Sequence, residues 1–241
     1  MALQWIRSLV FNFSIYLVMA IYAAVFFPFA LFSRVWAACA CQAWCVYVLW
    51  AARWMLGLRV EVRGTPPAGE VVVAAKHQSF LDIIVIYHAL PRAKFIMKRE
   101  LLYAPILGQY ALRIGCVPVN RGKRAAAIEK MKRDVRRGDA EPGQLVIYPQ
   151  GTRVAPGDKR PYKVGSGVLY EQLGQACVPV ATNVGHFWPK RGVLRRPGTA
   201  VVEFLDPIEP GMGVKAFNAH LEEIVETRSD KLLEEALEKH P

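Results

Sequence analysis

One histidine and one carboxylate stand five positions apart directly after an apolar run. Residues 71–75 are Val-Val-Val-Ala-Ala, which is typical of a buried strand, and residues 76–79 form a polar corner before a helix. Residues five apart lie about 140° apart around a regular helix and would not meet there. We therefore expect His77 before the helix and Asp82 in its first turn. A carboxylate that orients an imidazole in this way makes a general base.

Simpler roles exist for the same residues. Ser79 and Asp82 have the types and spacing of a helix cap, and His77 would then be a polar loop residue. A nucleophilic triad of His77, Ser79 and Asp82 is disfavoured, because triad members normally converge from distant parts of a chain. A metal site is disfavoured, because no cysteine or second carboxylate has ligand spacing. The general base and the helix cap both stay open on these residues alone.

Two arginines follow predicted strands. A Gly-led strand ends at Arg121, and a second segment with Pro149, Gly151, Thr152 and Arg153 follows a later strand. Proline and glycine predict a tight turn. The planar fork of a guanidinium matches two phosphate oxygens at once. The pattern therefore predicts a phosphate site at the rim of a sheet.

Four segments in order resemble the glycerolipid acyltransferases, in particular the bacterial 1-acylglycerol-3-phosphate acyltransferases. They are His-Gln-Ser-Phe-Leu-Asp at 77–82, which is the H-x-x-x-x-D signature, residues 98–121, Tyr-Pro-Gln-Gly-Thr-Arg at 148–153, and Val-Pro-Val at 178–180. Two positions depart from the family pattern. Gln150 replaces the customary acid, and Lys76 stands where Asn is common before the histidine.

The resemblance implies acyl transfer from an acyl thioester to the free hydroxyl of lysophosphatidic acid, giving phosphatidic acid. The donor would be acyl-CoA or an acidic acyl carrier protein, and neither a cofactor nor a metal is implied. His77 would take the hydroxyl proton, Asp82 would hold the imidazolium, and Arg121 and Arg153 would bind the acceptor phosphate.

The turn residues Gln150, Gly151 and Thr152 complete the predicted substrate site. Gln keeps the shape of Glu and one acceptor oxygen but loses the charge. Our interpretation is that the Gln150 carbonyl oxygen accepts backbone hydrogen bonds inside the turn. The protein would then be active with Gln at this position.

The net charge of +11 is concentrated in one segment. Residues 92–163 hold 17 Lys and Arg against 6 Asp and Glu, which leaves 14 of each sign elsewhere. An anionic partner is implied there. Nucleic acid is disfavoured, because no nucleic-acid-binding motif accompanies the charge. A basic amphipathic helix over residues 124–137 would meet anionic lipid or an acyl carrier protein.

The first 57 residues are predicted to form a membrane hairpin. Residues 8–32 carry no charge, and residues 35–52 form a second uncharged run after Arg34. The lengths suit either two bilayer crossings or two helices that dip into one leaflet. Pro28 is expected to kink or end the first helix. Arg53, Arg59 and Arg63 predict that the rest of the chain lies on the cytoplasmic side of the membrane, which is the inner membrane if the protein is bacterial.

Residues 58–241 are predicted to form an α/β domain with a central sheet covered by helices. Seven short strands are expected near residues 59–63, 71–75, 94–97, 116–119, 145–148, 178–183 and 200–205, and an acidic amphipathic tail over 214–240 is expected to pack on them. Transfer to another lysolipid, such as an amino-acid lipid, stays an alternative. A membrane protein that binds anionic lipid without catalysis is another.

Overall fold

A computed structural model describes residues 2–104, 107–119, 126, 129 and 142–239. Its helices are α1 (Ala2–Phe32), α2 (Arg34–Ala51), α3 (Leu81–Ala89), α4 (Leu107–Arg113), α5 (Gly165–Leu173), α6 (Val184–Phe187) and α7 (Val214–Lys239). Its strands are β1 (Leu58–Arg63), β2 (Val72–Ala75), β3 (Ala93–Lys98), β4 (Val117–Val119), β5 (Gln144–Ile147), β6 (Cys177–Thr182) and β7 (Gly198–Phe204). Arg121 and most of the predicted basic helix lie outside the described residues.

The strands form one seven-stranded sheet in the order β1-β7-β6-β2-β5-β3-β4. All pairs are parallel except β6 with β7. Each predicted strand is present to within about two residues, which confirms the α/β fold class. β2 lies in the middle and is buried along its whole length. Val73 and Ala75 face one hydrophobic cluster and Val72 and Ala74 face the other, as the two-residue period of a strand requires.

Helices cover both faces of the sheet. On one face, Phe11 of α1 and Val48 of α2 share a core with Val73. On the other face, Phe217 and Leu221 of α7 are buried with the other side of β2. The acidic tail is therefore a single helix that packs on the domain, as predicted. The hydrophobic core is continuous across the predicted boundary at residue 57.

The two N-terminal helices are each long and apolar enough to cross a membrane, judged by length and composition. Small residues let α1 and α2 approach closely, namely Ala23, Ala30, Ala37 and Ala40. α1 continues through Pro28 to Phe32, so this proline does not end the helix. A short π-helical segment, Ala52–Leu56, continues from α2, and Gly57 caps it with a φ of 71° that suits glycine.

α1 lies lengthwise against the α/β domain. Near its start, the Gln4 side chain donates to the Arg195 carbonyl at 2.9 Å. Near its end, the Arg113 guanidinium donates to the Leu31 carbonyl at 2.9 Å. Elsewhere on its surface the helix exposes large apolar side chains, among them Trp5, Leu9, Phe13, Tyr16, Ile21, Val25 and Phe29. An exposed apolar surface of this size indicates membrane association.

Candidate active site

The centre of the site lies where β2 and β5 end. The two strands are parallel neighbours, with Ala74 paired to Ile147, so their carboxyl ends meet at the same edge of the sheet. The chain leaves β2 into His77 and leaves β5 into Tyr148. The rings of these two residues stack with their centroids 4.0 Å apart and 20° between their planes. Ligands of parallel sheets bind outside this edge.

Asp82 holds the imidazole of His77. Nδ1 of His77 lies 2.9 Å from Oδ1 of Asp82, and an ionised carboxylate can only accept, so Nδ1 carries the proton. The other oxygen, Oδ2, accepts the backbone N–H groups of Gln78 and Ser79 at 2.8 and 2.7 Å. Asp82 is fully buried, whereas 14% of the His77 side chain is exposed. The arrangement leaves Nε2 of His77 as the basic atom.

The helix cap and the predicted catalytic pair use the same residues. The hydroxyl of Ser79 accepts the N–H of Leu81 at 3.1 Å, while Asp82 reaches back to the N–H of Ser79. In a capping box the serine oxygen accepts the N–H three residues later, whereas here it accepts the N–H two residues later. The return hydrogen bond, from the Ser79 N–H to Asp82, is that of a capping box. The two interpretations left open by the sequence are therefore compatible: the cap fixes the carboxylate that orients the histidine.

Tyr148 packs against the ring of His77 and also lines the cavity that contains it. Its hydroxyl is buried near the Asp82 carboxylate and forms no hydrogen bond of ordinary length with any described residue. Burial raises the pKa of Tyr148 well above 10, and the negative charge of Asp82 adds to the effect. The phenol therefore stays neutral, and its ring provides a flat apolar surface for the imidazole.

The arginine turn is joined directly to the histidine corner. The N–H of Gly151 donates to the Tyr148 carbonyl at 2.9 Å, and Gly151 has a φ of 69°. That left-handed conformation explains the glycine. One step further, the N–H of Val154 donates to the carbonyl of His77 at 2.8 Å. The backbone thus connects the predicted base to the predicted phosphate site.

A cavity of about 720 Å³ opens in front of His77. Its polar lining includes His77, Gly151, Thr152 and Arg153. Its apolar wall comes from both the N-terminal helices and the sheet domain, including Met19, Tyr22, Ala23, Ala40, Trp44, Phe80, Ile83, Phe95, Met97, Ala111 and Ile114. The lining is mostly apolar and also includes the charged side chains of Lys98, Arg153 and Lys190, which suits an amphiphilic ligand.

Four of the seven predicted site residues line the cavity, namely His77, Gly151, Thr152 and Arg153. Asp82 lies behind His77, and Arg121 lies outside the described residues, so its role stays a prediction. Two lysines that the sequence did not single out, Lys98 and Lys190, also line the cavity. Lys98 is the last residue of β3, so a search of the ends of the predicted strands would have found it. Lys190 has no local signal, but its ammonium donates to the Arg153 carbonyl at 2.9 Å.

Gln150 does not have the acceptor role expected from the sequence. Its Oε1 is buried and accepts no hydrogen bond from any described residue. Its Nε2 instead donates to the Arg160 carbonyl at 3.4 Å and to Oε1 of Glu226 at 3.3 Å. The expectation was wrong because it considered only the local turn, whereas Glu226 lies on α7. Gln150 points away from the cavity, and its amide is used as a donor.

Metal ligation finds no support in the described part of the chain. No group of three or more His, Cys, Asp or Glu is placed there to hold an ion. The chemistry of the site is that of a carboxylate-oriented histidine beside cationic side chains.

Known proteins share this architecture. The 1-acyl-sn-glycerophosphate (LPA) acyltransferase PlsC of Thermotoga maritima has a crystal structure that superposes with a TM-score of 0.78. The superposition covers 95% of this chain and 97% of that chain at 22% identity. The similarity extends through the N-terminal helices and shows that the two chains have the same fold.

Relatives also match by sequence over about two-thirds of the chain. The 1-acyl-sn-glycerol-3-phosphate acyltransferase of Pseudomonas aeruginosa is 29% identical over 163 residues, which is 67% of this chain and 63% of that protein. The 1-acyl-sn-glycerol-3-phosphate acyltransferase alpha of Mus musculus is 32% identical over 165 residues, 65% of this chain and 57% of that protein. The matched stretch is thus less than two-thirds of either relative's length.

The family model described as Acyltransferase matches residues 59–183. That stretch begins in β1 and ends just after β6, so it contains the histidine corner, the arginine turn and the strands that carry them. The match spans more than half of the chain and confirms the resemblance stated from the four sequence segments. This chain therefore belongs to the acyltransferase family.

Proposed function

We propose that this protein transfers an acyl group from an acyl thioester to the free hydroxyl of 1-acyl-sn-glycerol 3-phosphate, giving phosphatidic acid. One observation carries the proposal. A single cavity places His77 and Arg153 beside an apolar wall, so a base, a phosphate ligand and a space for acyl chains occur together. The names of the relatives by sequence support the same acceptor.

His77 is the general base of the proposed reaction. Because Nδ1 is bound to Asp82, Nε2 takes the proton of the acceptor hydroxyl as its oxygen attacks the thioester carbonyl. The tetrahedral intermediate then breaks the carbon–sulfur bond. The departing thiolate takes the proton back from the imidazolium and leaves as CoA or carrier-protein thiol. No covalent acyl-enzyme is required, and Asp82 stabilises the transient imidazolium.

Cationic side chains orient the acceptor. Arg153, Lys98 and Lys190 line the cavity that contains His77. A phosphate bound by them would leave the neighbouring hydroxyl to approach Nε2, which converts binding energy into orientation. Arg121 is a further phosphate ligand in this proposal, and it rests on the sequence alone.

The membrane arrangement that fits the contacts is one leaflet. α1 has 31 residues and spans about 46 Å at 1.5 Å per residue, enough to cross a hydrocarbon core of about 30 Å. Yet Gln4 and Leu31, near opposite ends of the helix, both bond to the α/β domain. If α1 crossed the bilayer, these two contacts would pull the α/β domain into the hydrocarbon core. We propose a hairpin embedded by its exposed face, with the domain on the cytoplasmic side.

Lysophosphatidic acid is favoured over an amino-acid lysolipid because the two departures from the family pattern do not reach the acceptor. Neither Lys76 nor Gln150 belongs to the described residues that line the cavity. Both side chains instead contact Glu226 on α7. The cavity wall keeps the cationic turn that a phosphorylated acceptor needs.

The test is an acceptor panel with purified protein in lipid vesicles. Labelled acyl-CoA and acyl carrier protein are each supplied with lysophosphatidic acid, lysophosphatidylcholine and a lyso-amino-acid lipid. We expect phosphatidic acid as the main product, and His77→Ala should lower turnover by roughly 100- to 10,000-fold. His220→Ala, at an exposed position on α7, should keep full turnover.

Normal turnover in His77→Ala would overturn the mechanism. Turnover confined to another acceptor would overturn the substrate, and no turnover would favour an idle lipid-binding protein.

A further inference from the structure

A buried ion pair lies directly behind the histidine corner. The ammonium of Lys76, the residue before His77, donates to Oε2 of Glu226 on α7. Lys76 is 1% exposed and the Glu226 side chain 16% exposed. A buried ammonium is costly unless it is paired, so Glu226 determines where the Lys76 side chain can stay.

The second oxygen of Glu226 collects two more donors. Oε1 accepts the Tyr162 hydroxyl at 3.0 Å and Nε2 of Gln150 at 3.3 Å. Burial and the Glu226 charge both raise the pKa of Tyr162, which therefore stays a protonated donor. Since Oε1 must accept, the amide of Gln150 is oriented with its nitrogen toward Glu226.

These contacts join the two halves of the site through one carboxylate. Lys76 belongs to the corner after β2, and Gln150 belongs to the turn after β5 that also contains Arg153. Glu226 lies 43 positions beyond residue 183, where the stretch that the family model matches ends. A carboxylate from the C-terminal helix thus supports two segments that carry the proposed chemistry.

We infer that Glu226 is a positioning residue for the reaction proposed above, holding the His77 corner and the Gln150–Arg153 turn in their relative places through Lys76 and Gln150. It contacts no reacting atom. Its charge is the essential property, because Lys76 requires a negative partner. Its exact position is not essential in this inference, since residue 150 contacts the other oxygen of the same side chain at 3.3 Å and a carboxylate placed there would stay in the same network.

The inference is tested by moving the carboxylate. Glu226→Gln removes the charge and leaves the side-chain size unchanged, and the double variant Gln150→Glu/Glu226→Gln puts the charge on the other side of the same 3.3 Å contact. Glu235→Gln is the matched control, because Glu235 lies on the same helix and pairs with Arg63 and Arg228 away from the cavity. Each variant is purified in lipid vesicles, and its folded fraction is measured by circular dichroism.

We expect Glu226→Gln to lower kcat per folded protein by about 10- to 100-fold, since displacement of a base by about 1 Å has an effect of this size. The double variant should recover kcat to within about threefold of the original protein, and Glu235→Gln should keep it. In protein labelled with ¹⁵N-histidine, the imidazole signals of His77 should shift or broaden in Glu226→Gln and return in the double variant.

Unchanged kcat and unchanged His77 signals in folded Glu226→Gln would overturn the inference. If Glu226→Gln fails to fold, the double variant decides the question. A folded double variant with normal turnover and normal His77 signals supports the inference. A folded double variant with impaired turnover overturns it. The NMR comparison needs no turnover. A failure of the proposed acyl transfer would therefore be seen in the original protein, separately from the fate of Glu226.

Discussion

The two oxygens of Asp82 have different partners: Oδ1 faces the ring of His77 at 2.9 Å, and Oδ2 accepts the backbone N–H groups of the corner. The carboxylate cannot turn without breaking two backbone hydrogen bonds. The start of α3 therefore fixes the position of the carboxylate, and the hydrogen bond to Oδ1 in turn fixes the orientation of the His77 ring.

Asp82→Asn should abolish activity with little loss of fold. The amide oxygen can replace Oδ2 toward Gln78 and Ser79, which leaves the NH₂ group facing Nδ1 of His77. His77 would then carry its proton on Nε2 and could not act as a base. We expect kcat to fall at least about 100-fold, with a nearly unchanged melting temperature. ¹⁵N NMR would report the tautomer, and Asp158→Asn in an exposed loop is the control. An unchanged tautomer with full activity would contradict this role.

Arg153→Ala should weaken use of a phosphorylated acceptor. A lost charged hydrogen bond costs about 1.5 to 3 kcal/mol, which corresponds to about 10- to 150-fold in kcat/KM. The loss should be much smaller with 1-acylglycerol, which has no phosphate. Lys159→Ala, at an exposed position of the same loop, should behave like the original protein. Equal losses with both acceptors would mean that Arg153 is structural.

Tyr148→Phe should leave catalysis almost unchanged, because it keeps the ring that stacks on His77 and removes a hydroxyl that forms no hydrogen bond of ordinary length with any described residue. We expect kcat within about threefold and equal or higher stability.

The raised pKa of Tyr148 means that the folded protein keeps this proton above pH 10, where the unfolded chain releases it. Wild-type stability should thus fall as the pH rises through that range, and Tyr148→Phe should lack this component. Urea unfolding between pH 8 and 11 measures both. A large loss of kcat in Tyr148→Phe would assign the hydroxyl a direct role.

A cysteine at the tip of the hairpin should stay hidden from the far side of the membrane. Phe32, at the end of α1, is 91% exposed, and Phe32→Cys can be made together with Cys39→Ala. A membrane-impermeant maleimide is applied to sealed vesicles from either side. Asp158→Cys in the same background reports the side of the α/β domain. Labelling of position 32 only from the side opposite to Asp158→Cys would show that the hairpin crosses the bilayer.

The sequence predicted those parts of the site that depend on neighbouring residues. The strand β2, the corner and the start of α3 follow from an apolar run and a capping signal within thirteen residues, 70–82. Tyr148 belongs to the motif at residues 148–153, but its stacking on His77 depends on the parallel pairing of β2 and β5. Such pairing joins residues about 70 positions apart and leaves no local pattern.

The error at Gln150 has the same origin. Its side chain was assigned to the turn in which it lies, whereas its charged partner is Glu226, 76 positions later. The amphipathic pattern of α7 predicted that the helix packs on the domain. It did not predict which polar residue on that helix would be buried against the corner. Periodicity identifies a face, but the contacts of one carboxylate depend on the tertiary fold.

The hydrogen bond from the Val154 N–H to the His77 carbonyl fixes the distance between the proposed catalytic base and the arginine turn before any substrate binds. In 1-acyl-sn-glycerol 3-phosphate, the free hydroxyl and the phosphate stand on adjacent carbons; in the 2-acyl isomer they are one carbon further apart. A fixed separation suits one of these spacings better than the other. Regioselectivity between the isomers would then originate in a backbone contact that touches neither end of the substrate.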